Sequence, residues 1–233
     1  MRKLIVCLLL ICPAFCRIEA QDGLGIKTKL QFIPVWQEKV VHIQEDASGL
    51  SGDTVSFILF RFYISGLSLW KANHQVWTER NSFHLLDAGH PESMDLSRFL
   101  PEGLDWNSIH FSLGIDSATS CSGAQGGELD PVKGMYWAWQ SGYINFKLDG
   151  FSPMSQAKDH AFHFHLGGYQ YPYSCIREIR MDAGPSQDIR VLFDLTKFLA
   201  TLNLQQEASM MIPGARASLL SNVAAQCIYR ETK

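Results

Sequence analysis

Short runs of alternating, strand-like character recur along this chain, separated by polar turns. Thr54 to Ser65 (TVSFILFRFYIS) sets the pattern, being rich in β-branched and aromatic residues. Similar short runs occur at Leu30–Val35, Val40–Gln44, Ser82–Leu86, Ile109–Ile115, Tyr143–Leu148, Ala161–Leu166, Cys175–Met181 and Ile189–Phe193. Successive side chains of a strand leave opposite faces, so such runs predict strands that bury at least one face. Between them lie pieces rich in Gly, Ser, Asp and Pro, such as Asp46–Asp53, Asp87–Glu92 and Gly123–Gly134, which predict loops. Helical spacing enters only near the end. Asp194–Leu202 and Gly214–Ala225 read as helices, the second following Pro213-Gly214 and carrying Leu219, Leu220 and Val223 at helical intervals. The pattern predicts an all-β fold: a single antiparallel β-sandwich with short C-terminal helices.

The first twenty residues break this pattern. Arg2 and Lys3 precede an apolar run from Leu4 to Phe15, too short for a membrane anchor and apt for a cleaved export signal. We expect residues 1–20 to be a signal peptide and 21–233 to be one mature domain, periplasmic or secreted and free of the membrane. Cleavage would remove Cys7, Cys12 and Cys16 and leave Cys121, Cys175 and Cys227, an odd set that predicts one disulfide and one buried thiol in an oxidising compartment. It would also take Arg2, Lys3, Arg17 and Glu19 from 20 basic and 23 acidic side chains, leaving 17 and 22, a formal net charge of −5. With that sign and no Lys/Arg run, nucleic acid is not an expected partner.

No GxSxG elbow, HExxH helix, P-loop or GxGxxG turn occurs, so the sequence points to a binding protein rather than an enzyme. Metal chemistry would reside in the histidines. In His160-Ala161-Phe162-His163-Phe164-His165, alternation puts His163 and His165 on one strand face and the phenylalanines on the other. Two imidazoles so displayed can meet one ion if their tips converge. Asp116, Glu128 and Asp130, in and beside the loop Ser117–Gly134, offer the hard oxygens calcium prefers, although a hydrogen-bonded loop explains them as well. Met210 and Met211 add soft thioethers suited to Cu(I), although a methionine pair is more often ordinary core.

The segment Gly134-Met135-Tyr136-Trp137-Ala138-Trp139-Gln140-Ser141-Gly142-Tyr143 packs four aromatics into the eight residues from Tyr136 to Tyr143. Leu113-Gly114-Ile115-Asp116 and Leu129-Asp130-Pro131 precede it, and Phe164-His165-Leu166-Gly167-Gly168 follows. In that order and spacing these motifs resemble the MbnP-like family of periplasmic or surface copper-binding proteins, from about Leu30 to about Tyr229. The resemblance implies copper as the ion and favours His165 and His84, the latter in Phe83-His84-Leu85-Leu86-Asp87, with His163 or His110 as a further ligand. It also implies a tryptophan open to oxidation to kynurenine and a dihaem peroxidase as partner. Trp137 and Trp139, two apart, are expected to fill the core, whereas Trp70 and Trp77, flanking His74 in the expected loop Leu69–Arg80, are the expected exposed indoles. The competing expectation is an interaction module of the same fold that has no metal and recognises its partner through that aromatic loop.

Overall fold

A computed structural model of the chain describes residues 28–43, 55–139, 142–185 and 188–232. The expected leader, its three cysteines and the loop Asp46–Asp53 lie outside the described residues. Among the described residues the strands are β1 (Leu30–Trp36), β2 (Lys39–Val40), β3 (Ser56–Lys71), β4 (His74–Thr78), β5 (Phe83–Asp87), β6 (Ser108–Leu113), β7 (Tyr136–Trp137), β8 (Gly142–Phe151), β9 (Ala161–Gly167), β10 (Arg177–Asp182), β11 (Ile189–Asp194), β12 (Ser209–Met210) and β13 (Ile228–Arg230). The helices are α1 (Ser117–Cys121), α2 (Leu195–Ala200) and α3 (Ala215–Gln226).

The fold is mostly β, as the alternation predicts, but its sheets are mixed. A four-stranded sheet runs β13-β11-β1-β2, and a nine-stranded sheet runs β10-β6-β3-β8-β9-β12, with β4 and β5 on β3 and β7 on β8. β1 pairs with β11 in parallel, and so does β12 with β9. The expected purely antiparallel arrangement is therefore corrected. Both parallel pairs join segments far apart in the chain, which no local turn constrains to run antiparallel.

β3 is the spine of the large sheet. The expected strand ended at Ser65, yet β3 continues through Gly66, at φ +64°, where its pairing with β6 shifts register between Ser65 and Ser68. Such a bulge bends a strand without ending it. The extension pairs with β4, so Trp70, His74 and Trp77 lie on a hairpin and not in a loop. Arg61 of β3 pairs with both Lys147 of β8 and Asp87 of β5, which places those two strands on opposite edges of β3.

The inner face of the large sheet carries phenylalanines that meet those of the small one. Phe60 lies 5.0 Å from Phe193 between ring centroids, Phe32 lies 5.5 Å from Phe111, and Phe146 lies 4.8 Å from Phe198 of α2. Tilted and edge-on pairs of this kind add about 0.5–1.5 kcal/mol each beyond the area they bury. On the outer face, a satellite core of Tyr63, Leu85, Ile115, Leu129, Met135, Trp137, Tyr143 and Ile144 sits under the segment that follows β6. Tyr63 donates its hydroxyl to the Glu128 carbonyl at 3.0 Å, pinning that segment down. Gly114 adopts φ +108°, and a Cβ there would lie 2.5 Å from the Asn145 side chain, whose Oδ1 accepts from the Ile115 amide. The glycine and aromatic motifs thus build this second core.

Two further expectations are corrected. Trp137 is buried, but Trp139 is 62% exposed, because β7 ends at Trp137 and the chain turns before the period can return the next indole inward. Among the described residues the three cysteines are free: Cys121 is exposed on α1, whereas Cys175 and Cys227 are buried in the apolar core. Burial raises both buried thiols, Cys227 to about 12, so each is held as the protonated thiol.

Candidate metal centre

The outer face of the large sheet holds a row of polar side chains set by strand register. Lys147 of β8 pairs with His165 of β9, and Asp149 pairs with His163, so all four leave the same face. The intervening Leu148, Phe162, Phe164 and Leu166 point the other way and are buried completely. Sequence alternation thus put the two imidazoles together, and the β8–β9 register supplied the carboxylate between them.

Asp149 Oδ1 accepts from His163 Nδ1 at 2.9 Å and from His165 Nε2 at 2.7 Å. The rings stand 6.3 Å apart between centroids and are nearly perpendicular. His165 is mostly covered and His163 more open, with side-chain exposures of 14% and 40%. Burial by itself would raise the Asp149 carboxyl, but the hydrogen bonds and charge of His165, and then of His163, outweigh it and hold the group below its ordinary value of 3.8. One ligand atom from each of the three residues lies within 4.8 Å of the others, and among the described residues no other group of histidine, cysteine and carboxylate side chains gathers in this way. Two nitrogens and one oxygen suit copper or zinc better than magnesium or calcium.

The surroundings temper the positive charge. Burial lowers the Lys147 ammonium, Arg61 lowers it further, and Asp149 opposes both; its Nζ donates to the Gly134 carbonyl at 3.0 Å. Arg61 is held by Asp87 at 2.7 Å and by the Lys133 carbonyl at 3.0 Å. These cations are therefore fixed along the row by the satellite core's loop.

The other expected ligands lie elsewhere. His84 pairs with Ile64 on the inner face of β5, three strand spacings from β9, or about 14 Å along the sheet. Its Nε2 lies 2.7 Å from Glu79 Oε2, and its ring lies 4.3 Å from Phe99. His110, on β6, stacks on Trp70 at 4.8 Å. Burial and then Arg180 lower its imidazolium, so it stays neutral more readily. The structure does not bring His84 or His110 to His165. The calcium-type oxygens are engaged in two caps and an ion pair: Asp116 accepts from Thr119 N, Asp130 accepts from Val132 N, and Glu128 pairs with Lys133. Asp149 went unread in the sequence. Its signal was a lone carboxylate on a strand-like run next to a glycine, but its partners sit on another strand.

Exposed aromatic residues gather at a separate site. Trp139, Tyr171, Tyr173 and Ile212 line a groove of about 500 Å³ that no charged side chain lines, together with Trp137 and Pro213. Trp70 and Trp77, expected to be exposed, are both partly covered by their hairpin and its neighbours. Among the described residues, Trp139 is the exposed indole.

The profile of the MbnP family matches residues 26–212. No functionally curated protein matches the chain. Among solved structures, the chain is similar to MbnP from Methylosinus trichosporium, at 16% identity and a TM-score of 0.48, over 74% of this chain and 77% of that one.

Proposed function

The chain belongs to the MbnP family, and from that premise we propose that it is an exported copper-binding protein that holds its ion through Asp149, His163 and His165. The observation that supports this reading is one carboxylate oxygen within hydrogen-bonding distance of two imidazoles on one rigid strand. Imidazole and carboxylate bind metal in their deprotonated forms, so copper would replace the protons that now bridge His163 and His165 to Asp149. The neighbouring strands fix all three side chains in register, and little freedom is lost on binding. The protein sequesters or delivers copper and performs no turnover of its own. No described helix is long and apolar enough to cross a membrane. A dihaem peroxidase partner would find Trp139 as the accessible indole to oxidise.

Titration of the purified protein with Cu(I) and Cu(II) tests the assignment. One equivalent of copper is expected for the parent, with stoichiometric binding lost in His165→Ala and retained in His84→Ala and His110→Ala. A parent that binds copper in neither oxidation state would overturn it.

A second reading is favoured by the uncharged aromatic groove: an interaction module that recognises its partner through Trp139, Tyr171 and Tyr173. Large exposed apolar patches commonly mark such surfaces. The same titration separates the two, because this reading requires no metal.

A further inference from the structure

We propose that the cavity along the outer edge of β5 is a second binding site, one that takes a small aryl carboxylate and is independent of the copper reading. The cavity measures about 720 Å³, a size ordinary for small-molecule sites. Phe83 and Asp87 reach it from one face of β5 and His84 from the other. It therefore runs along an edge: among the described residues β5 pairs with β3 alone, and its other side is left to side chains rather than to a strand.

The charged groups of the cavity fall into two sets. Four acids line it, and each already has partners. Asp87 accepts from Arg61 and Glu128 from Lys133, both at 2.7 Å, Glu79 holds His84 and the Ser82 hydroxyl, and Asp95 accepts from the Ser97 amide at 2.8 Å. Arg80 and Arg98 line the same cavity and, among the described residues, pair with no carboxylate. A guanidinium fork matches a carboxylate in shape as well as charge, so two such forks stand unused. Arg61 and Lys133 bring the lining Lys and Arg side chains to four against four acids, which leaves no cationic excess to draw in a polyanion. A single carboxylate suits the cavity better.

Aromatic rings supply the rest of the wall. Arg98 lies over the Phe99 ring at 4.7 Å, and that ring stands 4.3 Å from His84, which Glu79 fixes at 2.7 Å. The stack holds the Arg98 guanidinium before any ligand arrives, so less side-chain freedom is lost on binding. Phe83 and Phe99 are only partly buried, and both line the cavity. A ligand ring set against them buries apolar surface while its carboxylate meets a fork. His84, which lies away from the metal centre, thereby finds its place as part of this wall.

The test uses metal-free protein with indole-3-acetate as the ligand, indole-3-acetamide as its uncharged counterpart and inorganic phosphate as an anion without a ring. Calorimetry measures affinity, and backbone amide shifts in NMR locate the contact. The expected result is saturable binding of the acid with shifts centred on Phe83 and Phe99. Affinity should fall about tenfold or more in Arg80→Gln and in Arg98→Gln, and by as much for the amide on the parent, the scale of one charge-assisted hydrogen bond. Phosphate should not displace the acid, and His165→Ala should bind it as the parent does. Both arginines are exposed, so their variants should melt with the parent. No saturable binding at millimolar acid, equal affinity for the amide, or unchanged affinity in both arginine variants would overturn the proposal. Displacement by phosphate, or loss of binding in His165→Ala, would overturn it as well, the first by showing a plain anion site and the second by moving the acid to the metal centre.

Discussion

Asp149 is the residue on which the candidate centre turns, because one of its oxygens holds two imidazoles at once. Its carboxyl lies below the ordinary value, so the folded state favours the ionised form. The stability it contributes is complete above about 3.8 and is lost as pH falls through the lower, folded-state value. Asp149→Asn keeps an acceptor of the same shape but removes the charge. At neutral pH it should destabilise the metal-free protein by about 1–3 kcal/mol, the scale of hydrogen bonds to charged groups. Denaturant unfolding of parent and variant from pH 7 to pH 3 checks this, since the gap should close in acid. A gap that persists unchanged to pH 3 would mean that the charge is not what holds the imidazoles. The histidines were legible as a same-face pair from their spacing alone, whereas the carboxylate was not, because its role depends on which strand lies beside β9.

Among the elements, the short β7 and the long β3 show most clearly where local pattern stops deciding. Trp137 and Trp139 are equivalent under a period of two, and the sequence predicts the same environment for both. β7 ends after Trp137, however, so that one indole enters the satellite core and the other is left in the aromatic groove 5.7 Å away. Trp137→Ala should cost about 3–5 kcal/mol, as truncation of a buried aromatic does, while Trp139→Ala should change stability by about 0.5 kcal/mol or less. Thermal or denaturant melts of the two variants check the pair, and equal losses would place both indoles in the core. β3 shows the opposite failure. The strand-like run read from the sequence ends at Ser65, just before Gly66, but β4 and β6 pair with the continuation and make the interruption a bulge.

The whole molecule buries two of its three described cysteines in the core and leaves one outside. In the full chain, mass-spectrometric mapping after brief treatment with an alkylating reagent should find Cys121 modified in the native state. Cys175 and Cys227 should react only on unfolding, with Cys227 slowest because burial holds it as a thiol up to about pH 12. Native protection of all three, or a Cys175–Cys227 bond in the purified protein, would contradict this arrangement. The sequence by itself determined that the fold is mostly β, where most strands begin, that the last two helices follow Asp194 and Gly214, and that His163 and His165 share a face. All of these depend on residues near one another in the chain, where side-chain period, turn chemistry and capping act. Only the tertiary structure decided the two parallel pairings, the outer satellite core, the separation of His84 and His110 from His165, and the arrival of Asp149 between the imidazoles. These are choices of which strand lies beside which and in what register, made by burying apolar faces far apart in sequence, and the local pattern carries no record of them.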